Sequence, residues 1–300
     1  MKPAFTAYLL VTTLCFTACS AQEKPLIAEG AELKLIASDF SFTEGPAADA
    51  AGDVYFTDQP NDRILKWNAG TGEVSVYMEP AGRANGLYVD DNGHLLACAD
   101  EKFQLWRISP EKEVTVLVDG YQGRELNGPN DLWVDPEGGI YFTDPYYQRP
   151  YWERQQPEIK EQRVYYLAPD GSGLRIVADD LVQPNGIIGS PDGSTLYVAD
   201  IGDKKTYAYG IRMEGDLFQK TLVADMGSDG MTLDSQGNLY LTGDGVTVFN
   251  KDGEKILHIP VPQKWTANVT FGGPEQKTLF VTAMNSVYTL EMNVHGVRRP

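Results

Sequence analysis

Six times along the chain a turn rich in Asp, Pro and Gly gives way to a short run in which bulky apolar side chains alternate with small or polar ones. The copies are Gly52–Asp58, His94–Asp100, Gly139–Asp144, Thr195–Asp200, Asn238–Gly243 and Thr278–Ala283. Period-two alternation bounded by turn residues predicts strands. Their last residues, at 58, 100, 144, 200, 243 and 283, are separated by 42, 44, 56, 43 and 40 residues. A repeat of that length is the period of four-stranded propeller blades.

The rest of each repeat supplies the other strands. Turns such as Asp90-Asp91-Asn92-Gly93, Asp135-Pro136-Glu137-Gly138, Ser190-Pro191-Asp192-Gly193 and Asp234-Ser235-Gln236-Gly237 precede the recurring strand and join it to an inner neighbour. A third strand follows each copy, at 63–67, 105–108, 164–167, 206–211, 246–250 and 286–292. A fourth, rich in β-branched residues, follows in five of them, at 74–77, 114–118, 174–177, 220–223 and 255–259. The sixth copy lacks a fourth strand because the chain ends, and Glu32–Ala37, ahead of the first copy, has the matching character. The expected fold is all-β: a six-bladed β-propeller, four antiparallel strands per blade, its ring closed by the N-terminal strand.

Length alone would suggest two domains, but the repeats make one. The expected division is a signal peptide over 1–18, a linker over 19–30, a single propeller over 31–293 and a tail over 294–300. Met1-Lys2-Pro3 followed by an apolar run to Ala18 reads as an export signal, too short to span a membrane comfortably. Phe16-Thr17-Ala18-Cys19-Ser20 resembles a bacterial lipoprotein cleavage site, with Cys19 as the lipid-bearing first residue. Phe16 stands where Leu is usual, so plain secretion stays open, as does the reading of Cys15 and Cys19 as small signal residues. Either route of export places the protein in the bacterial cell envelope or periplasm. Cys98 then has no partner for an intramolecular disulfide and reads as a buried thiol. A formal charge of −17 argues against nucleic acid, whose binding needs clustered Lys and Arg. Oligomeric state is open between monomer and dimer.

Just ahead of each recurring strand, where the chain enters an inner strand, lie Glu44-Gly45-Pro46, Asn85-Gly86-Leu87, Asn130-Asp131-Leu132, Asn185-Gly186-Ile187, Asp229-Gly230-Met231 and Asn268-Val269-Thr270. The first residue of each triplet precedes its strand end by 14 or 15 positions. Innermost strands line a propeller's channel, so these six side chains form a ring at its mouth. Two carboxylates and four amides, without His or Cys, make a hard oxygen set suited to calcium, with other divalent cations possible. Asn-Gly and Asp-Gly are also common turn formers, but turn chemistry does not account for Glu44, nor for Asn130 and Asn268, which lack the glycine.

Together with Asn127-Gly128-Pro129, Phe142-Thr143-Asp144-Pro145, Ser228 and Phe271-Gly272-Gly273, these motifs resemble the senescence marker protein/gluconolactonase family of calcium-dependent six-bladed propellers. The resemblance covers about Leu33 to Leu290. It implies metal ligands at Glu44, Asn130, Asn185 and Asp229, a catalytic carboxylate at Asp229, and substrate contacts around Asn127 and Asn130. Members more like the vertebrate proteins carry an Arg where this chain has Gly128, which leaves the sugar preference open.

The implied activity is calcium-dependent hydrolysis of a sugar-type lactone. The metal would polarise the carbonyl and Asp229, its carboxyl depressed beside the metal, would activate water; direct attack by Asp229 is a variant. Asn85 and Asn268 read as orienters or substrate hydrogen-bond partners, or as supports of the channel's own loops. Asp58, Asp100, Asp144 and Asp200 read as turn caps. The long third spacing comes from Pro145–Gln156, whose Tyr146, Tyr147 and Trp152 are expected to form a lid contacting substrate. His94, His258 and His295 lie away from the ring, so no His base is expected. A phosphotriesterase on the same ring and a non-catalytic sugar- or metal-binding propeller are the alternatives.

Overall fold

The computed structural model describes residues 25–297; the expected signal segment and Cys19 lie outside them. Alternating side chains produce six sheets of four antiparallel strands. Blade one is β2 (Thr43–Ala48), β3 (Val54–Asp58), β4 (Arg63–Trp67) and β5 (Val74–Met78). Blade two is β6 (Ala84–Val89), β7 (Leu95–Ala99), β8 (Gln104–Ile108) and β9 (Val114–Val118). Blade three is β10 (Leu132–Val134), β11 (Ile140–Asp144), β12 (Arg163–Leu167) and β13 (Arg175–Ala178). Blade four is β14 (Pro184–Gly189), β15 (Thr195–Asp200), β16 (Lys205–Ile211) and β17 (Leu217–Ala224). Blade five is β18 (Met231–Leu233), β19 (Leu239–Gly243), β20 (Gly245–Phe249) and β21 (Lys255–Ile259). Blade six is β22 (Asn268–Gly272), β23 (Thr278–Ala283), β24 (Ser286–Glu291) and the N-terminal β1 (Lys34–Ala37), which pairs antiparallel with β24. Innermost strands pack on one another in succession and β22 packs on β2, closing the propeller as the sequence predicts.

Each blade is sandwiched between two others, so its middle strands are covered on both faces. This is why β7, β11, β19 and β20 are buried at every residue, whereas the outermost β9 and β21 are buried only at their last residue and β5 at none. Leu132, Val134, Ile140 and Phe142 of blade three meet Leu96, Cys98 and Leu105 of blade two in one apolar cluster. Burying a side chain such as Phe142 contributes roughly 1.5–3 kcal/mol. At the closing seam, Phe280 of blade six lies 5.6 Å from Phe56 and 5.4 Å from Trp67 of blade one, ring centre to ring centre.

The Asp-Gly turns are self-bonded. Asp90 Oδ1 accepts N–H bonds from Asn92 and His94, and Asp135 Oδ1 from Glu137 and Gly139. The chain ends are also packed. Ala28 N–H donates to Glu291 O, Leu26 and Ile27 lie against the blade-six core, Val294 is buried, and Gly296 bridges to Asp234. Residues 25–30 and 294–297, assigned above to a linker and a tail, therefore lie on the propeller wall.

Candidate metal and catalytic site

Three innermost strands are bulged at the ring position. Register slips between Glu44 and Ala47 in β2, between Ala84 and Leu87 in β6, and between Pro184 and Ile187 in β14. A bulge breaks the alternation and re-aims a side chain, which is the use made here of Glu44-Gly45, Asn85-Gly86 and Asn185-Gly186. Asn130 and Asp229 precede β10 and β18 on the entering loops, and Asn268 is the first residue of β22.

The six positions meet around the axis. An ideal Cβ on Gly45 would lie 2.0 Å from the Asn85 carbonyl oxygen, so only glycine lets blade two approach. Gly86 N–H donates to Asn130 O at 2.7 Å, and Thr143 Oγ1 donates to Asn185 O at 2.7 Å. Asn185 lies close enough to the Asp229 carboxylate to favour its ionised form. A Cβ on Gly230 would stand 1.9 Å from Asn268 Cγ. The circle closes where Asn268 Nδ2 donates to Glu44 Oε2 at 3.2 Å. The acids and amides separated along the chain thus belong to one ring.

The ring's acids sit under electrostatic stress. Burial, reinforced by the charges of Asp229 and Asp131, raises the Glu44 carboxyl well above its ordinary range, against the Gly45 N–H at 2.5 Å and the Asn268 amide. Burial pushes Asp229 up to about 6, although Trp265 Nε1–H (2.6 Å to Oδ2), Asn185 and the Arg149 charge favour its ionised form. Asp131 is pushed up to about 7, chiefly by burial. In the protein alone desolvation outweighs the hydrogen bonds of Asp229, so the depression expected from the sequence is one that a bound metal would have to supply. A cation among these groups would relieve the cost of holding them ionised. Asn185 Oδ1 is buried with no partner while its Nδ2 donates to Tyr147 OH at 2.9 Å, so one amide oxygen stands ready for a ligand. Among the described residues no three His, Cys, Asp or Glu side chains are spaced to hold a metal by themselves, so a cation here would need the amides. The set fits a hard, oxygen-seeking ion.

The repeated strand-end aspartates hold the ring in place. Asp58 Oδ1 accepts from Ser41 and Phe42 N–H, the Asp144 carboxylate from Asn127 and Gly128 N–H, and that of Asp200 from Val182 and Gln183 N–H. In each case the donors stand three and two residues before the ring residue, at 44, 130 and 185. These groups brace the loops that present Glu44, Asn130 and Asn185, a structural role as expected, although they grip the entering loop as well as the next turn.

Blade two differs. There Asp62 takes the N–H groups of Ala81 and Arg83, and Asp100 turns instead to the lid, accepting from Tyr151 OH at 2.6 Å and pairing with Arg149 Nε at 3.4 Å. The lid connects β11 to β12. Tyr147 reaches the ring through Asn185, whereas Trp152 is 5 % exposed and packs on Phe103, Tyr146 and Arg154. Arg154 donates to the Leu126 and Asn127 carbonyls, tying the lid to the loop that carries Asn127. Asn127 is fully buried, its Nδ2 held by Asp144 O and Glu161 O and its Oδ1 unpaired. At Gly128 a Cβ would come within 3.0 Å of Trp152 and of Asp100 Oδ1, so lid and Asp100 fill the space beside it.

Three groups at this site escaped the sequence reading. Asp131 had a visible signal: it follows a ring residue where four other blades carry Gly and one carries Val. Trp265 and Arg149 had none, since only folding brings them to Asp229. The histidines are engaged elsewhere: His94 with Asp90, His258 with Thr247 and His295 with the Gly296 carbonyl.

Fold and site define a six-bladed propeller with a buried carboxylate–amide ring at one mouth of its axis. Residues 42–285 match the family described as SMP-30/Gluconolactonase/LRE-like region, and the chain belongs to it. The gluconolactonase of Zymomonas mobilis is 31% identical over 297 residues, covering 88% of this chain and 82% of that protein. The solved gluconolactonase of Xanthomonas campestris superposes with a TM-score of 0.82 at 32% identity, over 91% of this chain and 96% of that one. The diisopropyl-fluorophosphatase of Loligo vulgaris is 27% identical, over 88% of this chain and 93% of that protein.

Proposed function

We propose that this protein is a lactonase that hydrolyses a sugar-type lactone, with calcium held by Glu44, Asn130, Asn185 and Asp229. The observation that carries the reading is the unpaired, buried Asn185 Oδ1 beside the Asp229 carboxylate, in a ring that also holds Glu44. Kinship with gluconolactonases supports the lactone as substrate. Bound there, calcium supplies the electrophile that polarises the lactone carbonyl. Asp229, its Oδ2 fixed by Trp265, takes a proton from the water that attacks the carbonyl carbon. As the acyl–oxygen bond breaks, that proton passes to the departing ring oxygen and a hydroxy acid leaves. The Arg149 charge favours the ionised Asp229 that this step needs. Asn127, Asn130, Asn85 and Asn268 orient substrate or metal, and Tyr147, with Tyr146 and Trp152 behind it, covers the mouth.

Acid release from glucono-δ-lactone, followed by pH-stat, tests this directly. Chelator-stripped protein is expected to lose turnover and regain it with calcium; full activity after stripping would refute the metal's part. The squid relative favours a second reading on the same ring, hydrolysis of a phosphorus ester, and diisopropyl fluorophosphate in the same assay separates the two. The leading segment supports work in the cell envelope with Cys19 lipidated. Palmitate labelling should then follow the wild type into the membrane fraction and be absent from Cys19→Ser; equal fractionation of the two would contradict the anchor.

A further inference from the structure

Three arginines meet at the lid, and the protein engages two of them. Arg154 donates to the Leu126 and Asn127 carbonyls, and its Cζ lies 3.5 Å from the Phe103 ring centre. Arg83, stacked on Tyr151 at 4.5 Å, donates to the Pro60 carbonyl and to Glu101 Oε1. Arg149 is held less closely. Its Nε is buried without a hydrogen-bond partner, 3.4 Å from Asp100 Oδ2, an oxygen that already accepts the Tyr151 O–H at 2.6 Å. That separation is long for a hydrogen bond, so the acid beside Arg149 leaves its donor fork underused. The position of the fork gives this a meaning. Its Cζ lies 5.4 Å from the Tyr147 ring centre, and Tyr147 OH accepts the Asn185 Nδ2–H at 2.9 Å, so the guanidinium stands one side chain away from the ring. Its charge reaches Asp229, and the side chain is 22 % exposed. A planar, permanently charged guanidinium takes a carboxylate through two parallel N–H bonds. Glu44 and Asp229 would repel an anionic substrate unless a positive group stood beside them at the mouth. One guanidinium balances one negative charge, which fits a carboxylate better than a phosphate.

We infer that Arg149 is a specificity residue that selects a sugar lactone carrying a carboxylate, gripping that group with its guanidinium fork while the lactone carbonyl faces the ring. This rests on the reading that the ring opens a sugar-type lactone, and it narrows the class of that lactone to sugar-acid lactones.

The test uses two lactones of one shape, glucaro-γ-lactone and glucono-γ-lactone, which differ in ending on a carboxylate or a hydroxymethyl group. Acid release is followed by pH-stat at saturating calcium and neutral pH for wild type, Arg149→Met and Arg149→Lys. A hydrogen-bonded charge pair is worth about 10–100-fold, so wild-type kcat/KM should favour the carboxylate-bearing lactone by that factor, chiefly through KM. Arg149→Met should bring the ratio of the two close to one. Arg149→Lys, with charge but no fork, should keep part of it. The ratio is the readout because any effect of Arg149 on Asp229 or on the hold of the lid lowers both lactones alike and cancels. A wild type that shows no preference for the carboxylate, or a ratio unchanged in Arg149→Met, would overturn the inference and leave the lactonase reading standing. A wild type that opens neither lactone would overturn that reading, and this inference with it.

Discussion

Asp229→Asn is expected to lower kcat for glucono-δ-lactone by about 10²–10⁴-fold, the usual contribution of a positioned general base. The substitution keeps shape: an Asn side-chain oxygen still accepts the Trp265 N–H that now lies 2.6 Å from Oδ2, and the Asn185 contact survives with one partner reoriented. Folding should therefore persist. Losing a buried carboxylate that burial already penalises should leave the ion-free protein at least as stable as wild type. Calcium affinity should fall as well, so activity is measured with calcium varied to saturation. A kcat within tenfold of wild type at saturating calcium would remove Asp229 from the proton transfer.

Gly45→Ala should be among the most damaging single-methyl additions to this chain. Gly45 has φ +48 and its Cβ would meet Asn85 O at 2.0 Å and the Gly86 Cα at 2.8 Å. Both obstacles are backbone, braced by Thr57 Oγ1 on Asn85 O at 3.1 Å, so they cannot swing aside. Strain of this kind belongs with the rare substitutions costing about 4 kcal/mol or more. Gly93→Ala isolates the backbone part: its φ is +77 but nothing lies within 4 Å of the added Cβ. There the cost should be only about 1–2 kcal/mol. Urea unfolding of both variants, with calcium titrations on each, gives the comparison. Equal losses at the two sites would mean that blades one and two are not in the close contact described.

Much of this was legible along the chain because a propeller repeats itself. Each strand faces the same demands as its counterpart in the next blade, so alternation, turn chemistry and spacing report six times over. The bulged Glu44-Gly45, Asn85-Gly86 and Asn185-Gly186 show themselves for the same reason: the glycine that admits the neighbouring blade recurs with the polar side chain it accompanies. Asp131 was overlooked because it departs from the repeat, and a search for what recurs discounts what does not.

The aspartates ending the second strands show where repetition misleads. Asp58, Asp144 and Asp200 brace ring loops, whereas Asp100, alike in sequence position, holds the lid through Tyr151 and Arg149 because Asp62 has taken over the bracing. Position within a repeat does not fix a partner supplied by an insertion.

The blades, their closure by the N-terminal strand and the six polar positions at the channel mouth can be read along the chain, since they follow from local alternation and a constant period. The state and company of those groups are set by folding. Burial pushes Glu44 and Asp229 toward protonation, charges from other blades adding to it at Glu44; Trp265 and Arg149 reach Asp229 from distant loops, and Asp131 meets the ring from beneath. Proton affinity depends on dielectric and on distance in space, and neither is written in the order of residues along a chain.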